Sequence, residues 1–248
     1  SCDNGQNRAS LAPKGAAIYP EYLSDWNVLI CPSDPTAGDE GVMVVTSAPS
    51  QSCFYEGQAS RPDASYLYYG YLIDKTAEGS PTIDVGTFGL PPGQVSSQMA
   101  YIMAAISNFP SFGFFGPLGD FDGSNDAPLN NDIDDSAVYA LMSSLSTPSG
   151  AAIGNGGSTV VHRLREGIER FLITDINNPA SAAAGQSTVP VMWDVVTTTT
   201  SESAQFNHIP GGANTLYMDG HVTFNKYPAN FPASQSFAVL GSLFDLGV

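Results

Sequence analysis

The stretch Thr215-Leu-Tyr-Met-Asp-Gly-His-Val-Thr-Phe224 decides the fold class, because it carries the strongest β-hairpin pattern in the chain. Asp219-Gly220 lies between strand-forming residues and supplies the positive φ angles of a two-residue turn. Pairing Met218 with His221 places four alternate side chains on one face, which we expect to meet the core: Thr215, Tyr217, Val222 and Phe224.

Patterns on either side of this hairpin predict further strands and two to three helices. The predicted strands span 27–31, 42–46, 64–73 and 189–196, where β-branched and aromatic residues are bounded by turn residues. The predicted helices span 96–107, the stretch from Asp135 or Ser136 to Leu145, and 160–171, where apolar residues recur at helical spacing. We therefore expect an α+β fold, an antiparallel β-sheet carrying helices on one face, with long irregular loops.

We expect one domain over residues 1–248, with an irregular N-terminal segment, 1–26, that takes part in subunit contacts. The charge of this domain is strongly acidic: 24 Asp and Glu against 8 Lys and Arg give a formal net charge of −16. Nucleic acid is an unsuitable partner, because binding it requires basic surface. The longest apolar run, near 99–106, is far shorter than the roughly 20 residues of a membrane span.

Three cysteines provide information on the redox environment. Cys31 and Cys53 bracket a loop rich in Pro, Gly, Asp and Ser, which favours a disulfide between them and an oxidising compartment. The alternative is that both are buried thiols. Cys2 is left over and is either free or bonded to a neighbouring molecule.

The acidic segment 119–135 is the sharpest candidate site, and calcium is the predicted ion. The chain has no Lys or Arg between Lys75 and Arg163, so these carboxylates lack a cation nearby in sequence. Calcium binds six to eight oxygens in flexible geometry, which suits this segment. The predicted ligands are Asp120, Asp122, Ser124, Asp126, Asn131, Asp132 and Asp134.

Other interpretations of the acidic segment remain open. Its spacing resembles the start of an EF-hand loop, but the bidentate Glu at the end is missing and the Gly comes early. A solvated acidic loop without an ion is the alternative. A helix beginning at Ser136 also allows Asp134 or Asp135 to act as its N-cap.

The sequence contains little that predicts catalysis, and we expect a protein that is not an enzyme. Its three histidines form no His-Glu-x-x-His pattern, and there is no Gly-x-Ser-x-Gly elbow. His208, His221 and Asp219 are the minimum for an acid–base or metal site if the fold brings them together. The alternative is that these histidines only form hydrogen bonds with a loop and with the hairpin.

Residues 207–222, Asn-His-Ile-Pro-Gly-Gly-Ala-Asn-Thr-Leu-Tyr-Met-Asp-Gly-His-Val, resemble the C-terminal box of the prepilin-type processing-associated family, a His, nine residues and Asp-Gly. Here ten residues separate His208 from Asp219. Ile30-Cys-Pro-Ser-Asp-Pro35 resembles the same family, as do 163–179 and Val189-Pro-Val-Met-Trp-Asp194.

The resemblance implies a pilin-like or pseudopilin-like globular head that normally follows a hydrophobic N-terminal helix, and which here lacks that helix. It also implies an exported protein and makes calcium more plausible, since major pseudopilins hold calcium in Asp-rich loops. We therefore expect an extracellular or cell-surface structural subunit of a bacterial homopolymer, either a filament, a tube or a pilus-like assembly, stabilised by calcium.

A second function remains open beside the structural one. A minor pseudopilin-type binding module of a secretion system would engage an export substrate or a surface glycan through clustered tyrosines: Tyr66, Tyr68, Tyr69 and Tyr71. Tyrosines at alternate positions share a strand face, and the alternative is that they pack in the core or on the sheet.

Overall fold

The structure, a computed structural model, describes residues 2–3, 6–7, 11–13, 15–18, 20–34, 65–88, 92–106, 130–168, 185–196, 206–208, 211–235 and 237–238. Its strands and α-helices in chain order are β1 (Cys2–Asp3), β2 (Gln6–Asn7), α1 (Gly15–Ile18), β3 (Tyr66–Leu67), β4 (Thr82–Asp84), β5 (Gln94–Ser96), α2 (Ser97–Ile106), α3 (Ser136–Leu145), β6 (Pro190–Asp194), β7 (Gly212–Tyr217) and β8 (Val222–Lys226). Helices together with antiparallel sheets confirm the α+β class.

A four-stranded antiparallel sheet in the order β3-β6-β7-β8 organises the second half of the chain. Leu67, Trp193 and Thr215 are register partners across three of its strands, and all three are buried. They form the core face, and because side chains alternate along a strand, the neighbouring residues face the other side. β6 confirms the strand predicted at 189–196.

The hairpin of β7 and β8 is present, but its predicted register is wrong by one residue. Leu216 pairs with Val222, and the loop contains three residues, with Gly220 at φ +89°. A type I turn followed by a left-handed glycine produces such a loop and shifts every later pair by one. Thr215 faces the core as predicted, whereas Val222 and Phe224 are 60% and 51% exposed.

Helices α2 and α3 confirm two of the three predicted helices. Tyr101 of α2 and Tyr139 of α3 meet edge to face, with ring centroids 5.6 Å apart. Asp135 is the N-cap of α3, since its Oδ1 accepts hydrogen bonds from the backbone N–H groups of Ala137 and Val138, both at 3.0 Å. Side chains of both helices join those of β3 and β6 in one core cluster.

The helix predicted over 160–171 is wrong for its described part, 160–168. The Val161 N–H donates to the Ile133 carbonyl at 3.0 Å, and the Leu164 N–H donates to the Gly70 carbonyl at 2.9 Å. These bonds hold the backbone against two neighbouring segments, so tertiary pairing outweighs the helical spacing of the apolar residues. Residues 169–171 lie outside the described part.

Two predicted strands in the first half are also revised. Residues Trp26–Leu29 form a 3-10 helix instead of a strand, capped where Asp25 Oδ1 accepts the Asn27 N–H at 2.9 Å. The strand predicted over 64–73 shrinks to β3, because Gly70 takes a left-handed φ of +72°. Residues 42–46 lie outside the described residues.

Trp193 is the centre of the aromatic core. It stacks on Tyr69 at 5.5 Å and meets Phe231 and Phe237 edge to face at 5.0 and 5.7 Å between ring centroids. These contacts join β6 to the segment that follows β8. None of the helices in the described part of the chain has the length and hydropathy to cross a bilayer.

Candidate functional site

A row of side chains crosses the sheet on the face opposite Trp193. Tyr66 of β3 is the register partner of Asp194 of β6, and Asn214 of β7 is the partner of Phe224 of β8. The Asn214 N–H donates to Asp194 Oδ2 at 2.7 Å and so joins the two halves of the row. Cys31 and His208 lie against this row and complete a polar cluster.

Asp194 is the most deeply buried member of the cluster, at 0% exposure. Its Oδ2 faces three nitrogens, the backbone N and Nδ2 of Asn214 at 2.7 and 3.0 Å and His208 Nε2 at 2.9 Å. Its Oδ1 is buried with no hydrogen-bond partner among the described residues. A buried oxygen left in this state costs about 1–3 kcal/mol.

Cys31 reaches the cluster from the end of the capped 3-10 helix at Trp26–Leu29. Its Sγ lies 3.7 Å from His208 Nε2, and the residue is 3% exposed. The turn after it is held by the Asp34 N–H, which donates to the Cys31 carbonyl at 3.0 Å. Asp34 Oδ2 in turn accepts the hydroxyl of Ser65 at 2.6 Å, which ties this turn to the start of β3.

His208 Nε2 has more polar neighbours than a single ring nitrogen can satisfy. Asn214 Nδ2 lies 2.9 Å from it, as does Asp194 Oδ2. A ring nitrogen carries either one hydrogen or one lone pair, so it either donates to the carboxylate or accepts from the amide. Turning the Asn214 amide over only moves the conflict to Asp194, because an amide oxygen would then face the carboxylate.

The cluster contains Cys, His and Asp, but its geometry is not that of a nucleophilic triad. In a triad the nucleophile and the acid bind opposite ring nitrogens of the histidine. Here the thiol of Cys31 and the carboxylate of Asp194 both face Nε2 of His208. The three donor atoms all lie within 4.8 Å of one another, and among the described residues they are the group that could hold a metal ion.

The electrostatics of the cluster are negative. Burial, followed by the electrostatic effect of Cys31 and Asp194, raises the pKa of the Tyr66 hydroxyl to about 12. A hydrogen bond with Cys31 and the charge of Asp34 contribute in the same direction. The Tyr66 phenol therefore stays protonated and can donate towards the thiol.

The predicted calcium segment is only partly within the described residues. Asp120, Asp122, Ser124 and Asp126 lie outside them, so their predicted role stays a prediction. Asn131 and Asp134 are exposed, and Asp132 is partly buried. Of the seven predicted ligands, the three that the structure describes therefore lie on or near the surface.

Asp132 contacts protein donors with both of its oxygens. Oδ2 lies 2.9 Å from His162 Nδ1 and 3.0 Å from Arg165 Nη2, and Oδ1 accepts the Arg163 N–H at 2.8 Å. Partial burial alone would raise the pKa of Asp132, but the hydrogen bonds from Arg163 and His162 and the charge of Arg165 outweigh it and lower the pKa. The expectation that this segment lacks a counter-charge is thus wrong for Asp132, because the fold brings Arg165 to it.

One of the two cysteines of the predicted disulfide is described. Cys31 is a buried free thiol beside His208, and its pairing with Cys53 stays a prediction. Cys53 itself lies outside the described residues. Cys2 is described only as part of β1, so its predicted intermolecular contact stays a prediction.

The other two histidines have carboxylate partners of their own. His221 Nδ1 lies 2.5 Å from Asp219 Oδ1 at the tip of the hairpin, and its ring stacks on Tyr217 at 4.5 Å. His208 pairs with Asp194 instead, and so the predicted His208–His221–Asp219 site is divided between two places. The hairpin pair is exposed, with side-chain exposures of 42% for His221 and 33% for Asp219.

The clustered tyrosines also divide between core and surface. Tyr69 and Tyr71 are buried, and Arg163 lies over the Tyr71 ring at 5.2 Å from its centroid. Tyr66 and Tyr68 are partly exposed. Core packing thus accounts for two of the four side chains that a binding surface was expected to use.

No protein-family model, no curated protein and no solved structure matches this chain. The buried cluster collects residues from three of the four stretches that carry the prepilin-type resemblance: Cys31, Asp194, and His208 with Asn214. Sequence analysis singled out each stretch but did not predict that they meet. The available signal was that each one contains a metal-ligating side chain.

Proposed function

We propose that this chain is a structural subunit of an extracellular, calcium-stabilised homopolymer, a filament, tube or pilus-like assembly. The observation that carries the proposal is the exposed apolar surface of β8. This strand lies at the end of the four-stranded sheet, and its Val222 and Phe224 are 60% and 51% exposed. An edge strand with apolar side chains is a template for pairing with another chain.

A second copy of the chain is the occupant that we propose for this edge. Its main-chain N–H and C=O groups would pair with β8, and the side chains of Val222 and Phe224 would be covered. The resemblance to prepilin-type proteins favours such self-assembly.

The charge of the chain explains why the assembly would need a divalent cation. Each copy has a formal net charge of −16, so bringing copies together is opposed by repulsion. Calcium neutralises carboxylates and binds oxygen ligands from flexible segments. The acidic segment 119–135 remains the proposed site, with Asp134 as an exposed described carboxylate.

Electron microscopy and sedimentation of the purified chain test this proposal. We expect polymers in millimolar calcium and monomers after chelation, whereas sodium chloride of equal ionic strength should not restore the polymer. A chain that stays monomeric with and without calcium contradicts the proposal.

A pair of matched variants tests whether β8 is the contact. Val222→Lys places a charge on the edge strand and should abolish polymers while the melting temperature is retained. Tyr22→Lys changes a side chain that is 83% exposed elsewhere on the surface and should assemble normally. Equal assembly of both variants would exclude β8.

A further inference from the structure

We propose that Cys31, Asp194 and His208 bind one divalent transition-metal ion of the zinc class. None of its ligands belongs to the proposed calcium segment, and they come from three distant parts of the chain: the turn after the 3-10 helix at Trp26–Leu29, the end of β6, and the segment before β7. The ion would join these three parts.

The chemistry of the donors selects the class of metal. A thiolate and an imidazole are ligands for zinc and neighbouring transition metals, whereas calcium and magnesium prefer oxygen. Cys31 supplies sulfur, His208 supplies nitrogen and Asp194 supplies oxygen. Three protein ligands leave a fourth position, which water can fill.

The separation of the sulfur and nitrogen donors fits a tetrahedral ion. Zinc bonds of about 2.3 Å to sulfur and 2.0–2.1 Å to nitrogen imply a sulfur–nitrogen edge of about 3.6 Å. The observed separation of Cys31 Sγ and His208 Nε2 is 3.7 Å. The 2.9 Å between Nε2 and Asp194 Oδ2 is a hydrogen-bond length, and it would lengthen by about 0.5 Å around the ion.

One unpaired oxygen and one crowded ring nitrogen of the cluster point to a bound cation. Asp194 Oδ1 has no hydrogen-bond partner among the described residues, although this residue is fully buried. In addition, Nε2 of His208 faces a carboxylate oxygen and an amide nitrogen at once. A metal ion bound by Nε2 and by both carboxylate oxygens resolves both, because the lone pair of Nε2 and the unpaired Oδ1 can then face the same positive charge.

The surroundings supply support and access. Asn214 donates to Asp194 through its backbone N–H and its amide, which fixes the orientation of the carboxylate. The His208 side chain is 24% exposed, so an ion can reach the cluster from that side. Asn214 is therefore a positioning residue and not a ligand.

Titration of the reduced, chelator-treated full chain with Co²⁺ and Zn²⁺ tests the site. We expect one ion per chain, a near-ultraviolet sulfur-to-cobalt charge-transfer band, and a rise in melting temperature with zinc. The Cys2→Ser, Cys53→Ser double variant leaves Cys31 as the last of the chain's three cysteines and should retain the band.

Single substitutions measure how much each residue contributes to metal binding. Cys31→Ser should abolish the charge-transfer band, and His208→Gln should weaken binding by more than 100-fold. Asn214→Ala should cost roughly 10- to 100-fold, as expected for a supporting hydrogen bond. His221→Gln, which changes the exposed Asp–His pair at the hairpin tip, should bind as the parent does.

Three results would overturn the proposal. One is an absence of metal binding in the reduced, folded chain. Another is binding that survives in Cys31→Ser with an unchanged band. The third is a Cys31–Cys53 disulfide in the native protein, found by peptide mass mapping without reduction, because that bond would remove the thiolate.

Discussion

In two regions of the molecule an aspartate pairs with a histidine, but the hydrogen-bond donors around the carboxylate differ between them. Asp132 lies near the surface, and both of its oxygens contact protein donors, one of them the guanidinium of Arg165. Asp194 is fully buried, and the same number of donors crowds one of its oxygens while the other has none among the described residues. A counter-charge is therefore present at the first pair, and the described residues provide none at Oδ1 of the second.

This difference separates a structural ion pair from a candidate ligand site. A carboxylate whose oxygens are already satisfied gains little from a metal ion, whereas a buried one with an unpaired oxygen gains a great deal. Carboxylate density along the sequence is therefore a poorer guide to cation binding than the number of free oxygens in the fold.

The largest effect is expected from Asp194→Ala, measured by denaturant unfolding in the presence of chelator. Removing the carboxylate leaves Asn214 and His208 without their shared acceptor, which should destabilise the chain by about 3 kcal/mol or more. Asp194→Asn keeps one side-chain oxygen in place, so the decrease in the free energy of unfolding should be smaller. If Asp194→Ala is as stable as the parent, the carboxylate is not held as the structure indicates.

A smaller and pH-dependent effect is expected from Asp132→Asn. Folding lowers the pKa of Asp132 below its ordinary value of 3.8. The carboxylate therefore contributes to stability above about pH 4. This contribution is lost as the pH falls through the lower, folded-state pKa. At pH 7 the variant should be destabilised by about 1 kcal/mol, and the difference from the parent should vanish in acid.

Asp134→Asn is the matched control for this measurement, since Asp134 is an exposed carboxylate two residues along the chain. With calcium removed by chelator, its free energy of unfolding at pH 7 should equal that of the parent. A gap between parent and Asp132→Asn that widens in acid would contradict the linkage.

Local patterns predicted the elements that depend on local interactions. Helices α2 and α3, strand β6 and the position of the hairpin follow from apolar spacing, capping and turn residues. The register did not follow, because Asp219-Gly220 suits both a two-residue turn and the three-residue loop that forms. That one-residue shift is what exposes Val222 and Phe224.

Long-range contacts explain what the sequence could not predict about the sites. Cys31 and His208 are 177 positions apart, and Asp132 and Arg165 are 33 apart. The predicted lack of a counter-charge rested on the spacing of charged residues along the sequence. In the fold, Asp132 finds a counter-charge in the segment predicted to be a helix. The extended path of 160–168 places His162 and Arg165 beside Asp132.

The smallest effect is expected at the third Asp–His pair, at the hairpin tip. Hydrogen bonds from the His221 side chain and backbone N–H lower the pKa of Asp219, as the donors around Asp132 do for that residue. Solvent surrounds the tip, however, so screening weakens the charge interaction. Asp219→Asn should therefore have the melting temperature of the parent at physiological salt. Any difference in melting temperature at low ionic strength should disappear at 1 M salt. A large, salt-independent loss would mean that the turn geometry, and not burial, determines what an Asp–His pair contributes.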